Sequence, residues 1–139
     1  MFFLKAAFCR VFQTAFQLAL PVLPYREPEI VDSCAKLDRV FKKEKIHSVL
    51  IVTDKGIREH GLVHPVEKAL QANGISYSVY DGTQPNPTVF NVEEALEMYH
   101  DNQCNALIAI GGGSSMDCAK AVGARVAYPK RSLNQLAAY

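Results

Sequence analysis

The chain has 139 residues, 49% hydrophobic and 21% charged, with a formal net charge of +1. That length fits one domain with a respectable core, and the interspersed charges leave no footprint for a nucleic acid. The four cysteines, Cys9, Cys34, Cys104 and Cys118, form no C-x-x-C pair and no zinc spacing, so they read as buried thiols in a reducing compartment, the cytoplasm.

The first 24 residues are apolar but interrupted by Arg10, Gln13, Thr14 and Gln17 and ended by Pro21 and Pro24. A secretory leader needs an unbroken apolar centre and a small-residue cleavage site, and a membrane span needs roughly 20 uninterrupted apolar residues. Neither pattern is present. Read as a helix, the segment gathers Leu4, Phe8, Val11, Phe12, Ala15, Leu18 and Ala19 on one side, with the polar residues opposite. Packing on the protein itself or on a partner subunit is the plain reading. Association with a membrane surface is the sharper one.

Periodicity predicts a helix over residues 28–45, with Ile30, Cys34, Leu37, Val40 and Phe41 as its buried stripe. A strand follows over 48–53, and Asp54 is placed to cap a short helix ending at Gly61. Pro65 suits the first turn of the next helix and Gly74 its end. A second strand spans 76–80. Thr88 opens a helix that presents Val89, Val92, Leu96 and Tyr99 on one face. The third strand covers 106–110 and reads as buried on both faces, because nothing polar alternates along it. The last helix runs over 115–127, with Ala119, Val122, Gly123 and Val126 inward and Pro129 as the stop.

Strands alternating with helices call for a parallel sheet and right-handed crossovers. The expected fold is therefore α/β: a Rossmann-like parallel sheet with flanking helices, half of a dinucleotide-binding fold. The expected organisation is an apolar helical segment over residues 1–44 and an α/β domain over 45–139. Asp54, the loop Pro85-Asn86-Pro87 and residues 111–114 all follow strands, so they share the carboxyl rim where such sheets bind ligands.

The glycine loop on that rim, Gly111-Gly112-Gly113-Ser114-Ser115, joins strand to helix. Its glycines leave no Cβ between main chain and ligand. Ser114 is placed to cap the helix, with Asp117 three residues later in a capping-box-like position. The first-turn N–H groups then suit a phosphate. The spacing is not G-x-G-x-x-G, since Met116 stands where the third glycine belongs, and it is not a P-loop, since the first lysine is Lys120. A plain structural turn also uses such a cluster. His60 and His64 are four apart, the spacing of a helical zinc pair, but Gly61 and Pro65 argue against one helix through both.

The string Gly111-Gly112-Gly113-Ser114, followed by Asp117 and Ala119-Lys120, resembles the signature of the iron-containing (group III) alcohol dehydrogenases. Val49-Leu50-Ile51-Val52-Thr53-Asp54-Lys55-Gly56 looks like that family's first strand and turn. Tyr80-Asp81-Gly82-Thr83-Gln84-Pro85-Asn86-Pro87-Thr88 looks like its second strand and Asn-Pro loop. The three motifs occur in family order.

The resemblance implies NAD as cofactor. Asp54 would accept hydrogen bonds from the adenosine ribose hydroxyls and repel a 2′-phosphate; a helix N-cap is the plainer role for it. Asn86 would line the cofactor cleft, held by the stiffness of its two prolines, or serve as an ordinary turn residue. Gly112, Gly113, Ser114 and Ser115 would meet the pyrophosphate, with Asp117 as cofactor-side support. Asp81, before glycine, reads as a turn residue.

The family's iron, or another divalent metal, is held by an aspartate and three histidines of a helical C-terminal domain. None of those ligands is assignable in this sequence, and no catalytic residue is assigned. The expectation is an N-terminal domain cut short and inactive alone. The intact enzyme would be a homo-oligomer that interconverts an alcohol and an aldehyde or ketone. A glycerol dehydrogenase or dehydroquinate synthase-like enzyme, and a non-catalytic interaction module with an exposed apolar face, are the rival readings.

Overall fold

The computed structural model describes residues 2–19, with side chains from Cys9 onward, and residues 28–136. The expected stop at Pro21 and Pro24 lies outside the described residues. The chain divides into two compact units, Met1–Ile30 and Val31–Tyr139.

In the first unit the apolar N-terminus is one helix, α1 (Phe2–Ala19). Its Val11, Phe12, Phe16 and Leu18 are exposed, and the Phe12 and Phe16 rings stack with centroids 6.3 Å apart. The Thr14 hydroxyl donates to the Arg10 carbonyl at 2.9 Å. Among the described residues no helix is long and apolar enough to cross a membrane.

The second unit starts later than its periodicity predicts. Ser33 accepts a bond from the Ala35 N–H and caps a 3-10 turn (Cys34–Lys36) that leads into α2 (Leu37–Lys43). Serine at an N-cap takes the extended conformation that a helix interior excludes. The helix predicted over 28–45 therefore starts later; it also ends sooner, at Lys43, before Lys45 turns to φ +52°, and Ile30, placed in its buried stripe, is 92% exposed. Phe41 is buried as expected.

β1 (Ser48–Val52) leads to α3 (Lys55–Glu59) and α4 (His64–Ala72), then to β2 (Ser76–Tyr80). α5 (Val89–Asp101), β3 (Ala106–Ala109), α6 (Gly113–Ala127) and a short α7 (Leu133–Leu136) complete the unit. The strands are parallel in the order β2-β1-β3. Alternate residues of β1 serve opposite faces. Val49 and Ile51 pack with Phe41 of α2, Val63 just before α4, and Val66 and Leu70 of α4. Leu50 and Val52 pack with Val92, Leu96, Cys118 and Val122 from α5 and α6. A strand covered on both sides reads as a continuous apolar run, and β1 is buried along its whole length.

β3 differs from its expectation. It lies at an edge of the described sheet, its residues only half-buried and Ala109 exposed. On α5, Val92, Leu96 and Tyr99 are buried but Val89 is exposed, because it stands at the first helical position beside the Thr88 cap. On α6 the inward face includes Ser115 and Cys118 as well as Ala119 and Val122. A Cβ on Gly123 would meet Leu107 at an ordinary 3.5 Å, so no close approach to the sheet requires glycine there. His60 ends α3 and His64 begins α4, with Gly61 between them at φ +70°.

Candidate functional site

Three parallel strands put their carboxyl ends on one edge. With the order β2-β1-β3, the chain leaves β1 in one direction for β2 and passes back over it to β3, so the connections reverse beside β1. Open α/β sheets bind ligands in the crevice at such a reversal. A cleft of about 760 Å³ lies there, lined by residues 54–56, 81–85 and 112–114 and by Phe90, Asn91 and Glu94 of α5.

Thr53 ties the strand ends together. Its side chain is fully buried. Its hydroxyl donates to the Ile110 carbonyl at 2.7 Å, its N–H donates to Tyr80 O at 2.8 Å, and its carbonyl accepts from the Thr83 N–H at 3.3 Å. The loops after all three strands therefore converge on one residue, and Asp54, next in the chain, starts from a fixed backbone.

Asp54 is the N-cap of α3. Its Oδ1 accepts from the Ile57 N–H at 3.0 Å, and its Oδ2 accepts from the Ser115 hydroxyl at 3.4 Å. The capping role weighed for Asp54 is thus present, and the carboxylate still faces the cleft with lone pairs to spare.

The glycine loop departs from expectation in one respect. α6 starts at Gly113, with Gly112 as an extended N-cap, rather than at Ser115. Ser114 consequently occupies the second helical position, where its hydroxyl lies too far along to cap. Asp117 falls in the second turn, exposed and paired with Lys120 at 3.2 Å, away from the cleft-lining residues. Ser115 turns its hydroxyl inward to Asp54 and is wholly buried, so it reaches the cleft through its neighbours and not by its side chain. Because the N-cap is a glycine, no side chain caps α6 among the described residues. Its first-turn N–H groups are left to whatever sits in the cleft. A Cβ on Gly112 or Gly113 would meet nothing within 4 Å, so these two residues border open space and the main chain itself forms the cradle wall.

Asn86 stands between its prolines at φ +57°, exposed. Gln84 and Pro85 line the cleft, and Asn86 is outside the lining residues.

Several residues of the wall escape sequence reading. Asn91 completes a capping box with Thr88: its Oδ1 accepts from the Thr88 N–H at 3.1 Å, and the Thr88 Oγ1 accepts from the Asn91 N–H at 3.3 Å. The Asn91 amide also donates to Gly82 O at 3.2 Å and to the Tyr80 hydroxyl at 3.3 Å. The Tyr80 hydroxyl donates to Glu94 Oε2 at 3.0 Å. Burial pushes the Tyr80 phenol up to about 12; the Asn91 bond acts against this and the Glu94 carboxylate adds to it. Asp81, expected as a turn residue, lines the cleft and pairs with Arg58 at 2.7 Å. The signal that could have found the capping box is the Thr-x-x-Asn spacing, which is weaker than the form with Glu or Gln. The Tyr80–Glu94 and Arg58–Asp81 contacts join residues 14 and 23 positions apart, and no local spacing announces them.

Buried thiols at Cys104 and Cys118 have raised pKa values, chiefly through desolvation. Cys9 is exposed and Cys34 half-buried, so only two of the four thiols are interior. No three His, Cys, Asp or Glu side chains among the described residues are grouped to hold a metal ion.

An α/β unit whose parallel sheet carries a helix N-terminus without a side-chain cap beside a carboxylate at its carboxyl edge has a Rossmann-like architecture. Residues 30–138 match the sequence pattern described as iron-containing alcohol dehydrogenase, and the chain belongs to that family. Alcohol dehydrogenase 4 of Schizosaccharomyces pombe is 37% identical over 114 residues, which cover 79% of this chain and 27% of that protein. Lactaldehyde reductase of Escherichia coli is 42% identical over 82 residues, 59% of this chain and 22% of that one. Among solved structures, NADH-dependent butanol dehydrogenase A from Thermotoga maritima superposes with a TM-score of 0.68 at 28% identity, covering 80% of this chain and 29% of its own. A 1,3-propanediol oxidoreductase gives 0.65 at 32% identity, over 68% and 25%. The chain spans about a quarter of the length of these relatives.

Proposed function

We propose that this chain is the NAD-binding part of an alcohol dehydrogenase of this family. The observation that carries the reading is the pairing of an uncapped α6 N-terminus, bordered by two glycines with open space before them, with Asp54 on the adjoining strand end. The first-turn N–H groups hold the pyrophosphate, and Asp54 accepts from the ribose hydroxyls. Ser115 supports this arrangement from beneath by fixing the second oxygen of Asp54. When bound, NAD supplies the hydride acceptor for oxidation of an alcohol to an aldehyde or ketone.

The described residues do not fit the iron or other divalent metal of the family, since they offer no group of ligands for it. The 139-residue chain by itself is therefore expected to show no alcohol turnover, and measurable oxidation by it would refute this. The intact enzyme is expected to assemble as a homo-oligomer and to work in the cytoplasm.

Calorimetric titration with NAD tests the binding reading. Gly113→Ala places a methyl group in open space at the first position of a helix. It should leave the fold at least as stable, because alanine is the better helix former by about 1 kcal/mol. NAD affinity should nevertheless fall at least tenfold, because the methyl group occupies the pyrophosphate's approach. Asp54→Asn keeps a capping oxygen for Ile57 but removes the charge, and should weaken NAD binding roughly tenfold, the value of a charge-assisted hydrogen bond. Unchanged affinity in both variants would sink the proposal.

A further inference from the structure

A carboxylate at the end of the first strand is one way for such a cleft to select against a 2′-phosphate, and an arginine nearby is the usual way to accept one. This chain carries both, and a third group decides between them. Arg58 lies one helical turn beyond Asp54 on α3, and its N–H donates to the Asp54 carbonyl at 3.1 Å. Its guanidinium Nη1 donates to Asp81 Oδ2 at 2.7 Å. Asp81 and Asp54 both line the cleft, and the bridge between Asp54 and Gly82 sets the two loops side by side. Asp81 is held in place from within, because Gly82 lies against the Tyr80 ring, where a Cβ would come within 2.8 Å, and its carbonyl accepts from Asn91.

Resting on the cofactor reading above, we propose that Asp81 is a specificity-determining residue: it engages Arg58 at the ribose corner of the cleft and so withholds the cation that would bind a 2′-phosphate. With Asp81 in place, the Arg58 charge is neutralised and a second carboxylate faces the corner alongside Asp54. Both features oppose a phosphate of nearly two negative charges. The pair is half-exposed, with side-chain exposures of 51% and 33%, so it adds little to stability. Its consequence lies in where the guanidinium is kept. Discrimination at this corner thus takes two acids, and removing Asp54 alone leaves Arg58 engaged.

ADP-ribose and 2′-phospho-ADP-ribose, which report only the adenosine end of the cofactor, separate these roles by calorimetry at low ionic strength. The chain itself should bind ADP-ribose and discriminate against the 2′-phosphate form. Asp54→Asn should improve the 2′-phosphate form only slightly. Adding Asp81→Asn should raise its affinity a further tenfold or more as Arg58 becomes free to make a charge-assisted bond. Adding Arg58→Gln to that pair should abolish the gain. ADP-ribose binding, lowered roughly tenfold wherever Asp54 is replaced and then constant across the added Asp81 and Arg58 substitutions, reports that the cleft is intact. Equal 2′-phosphate affinity with and without Asp81, or a gain that survives Arg58→Gln, overturns the inference while leaving the cofactor reading standing. Failure of the unmodified chain to bind ADP-ribose overturns both.

Discussion

Gly111→Ala is expected to destabilise the α/β unit by about 3 kcal/mol or more. Gly111 sits at φ +141°, a region that side-chain-bearing residues occupy only under strain of order 1–3 kcal/mol. The added methyl carbon would also stand 2.6 Å from the Ser115 Oγ, 3.1 Å from its Cβ and 3.2 Å from Asp54 Oδ2. Ser115 is wholly buried and cannot swing aside. Relief therefore requires the hydroxyl to leave Asp54 or the start of α6 to shift. Urea unfolding of the variant against the unmodified chain measures the cost. Gly113→Ala is the internal control, because it adds the same atom two residues later with no clash. Similar stability for the two variants would show that the tight contact among residues 54, 111 and 115 is not there.

That contrast marks where the sequence is informative. Three adjacent glycines look alike in a string, yet Gly111 serves the fold and the next two border the cleft. Strand positions and the parallel sheet were readable because β1 is an unbroken apolar run and turn residues punctuate the chain. Gly74, at φ +67°, ends α4 where its lack of a Cβ foretold. α6 starts two residues before its predicted position, because Ser114 carries the stronger capping propensity while the backbone uses Gly112 and leaves the N–H groups open. A local preference yielded there to the shape of the loop, as happens at sites built for a ligand. The apolar run of β3 predicts a strand covered on both faces, yet β3 lies at an edge, because apolar content does not distinguish a central strand from an edge strand. The ion pair of Arg58 and Asp81, and the Tyr80–Asn91–Glu94 network, depend on strands brought together by the fold and leave no periodic trace.

Tyr80→Phe is expected to change how stability depends on pH more than its value near neutrality. The phenol is 6% exposed, and desolvation raises its pKa from 10.0 to about 12, with Asn91 opposing and Glu94 adding to the effect. The unfolded chain releases this proton near pH 10 while the folded chain keeps it to about 12. The stabilisation from neutral burial is therefore complete below pH 10 and is lost as pH rises from 10 to 12. The difference corresponds to about 3 kcal/mol. Tyr99, Cys104 and Cys118 are shifted upward by burial as well, and their contributions slope the same way in both proteins. The substitution removes the bond to Glu94 and that from Asn91, costing about 1 kcal/mol at pH 9. It also removes the alkaline penalty, so the stability curves of the two proteins should cross between pH 10 and 12. Parallel curves through that range, measured by urea unfolding, would mean that the phenol is solvated. The wall that positions Gly82 and Asp81 would then lack the buried anchor on which the cleft's ribose corner depends.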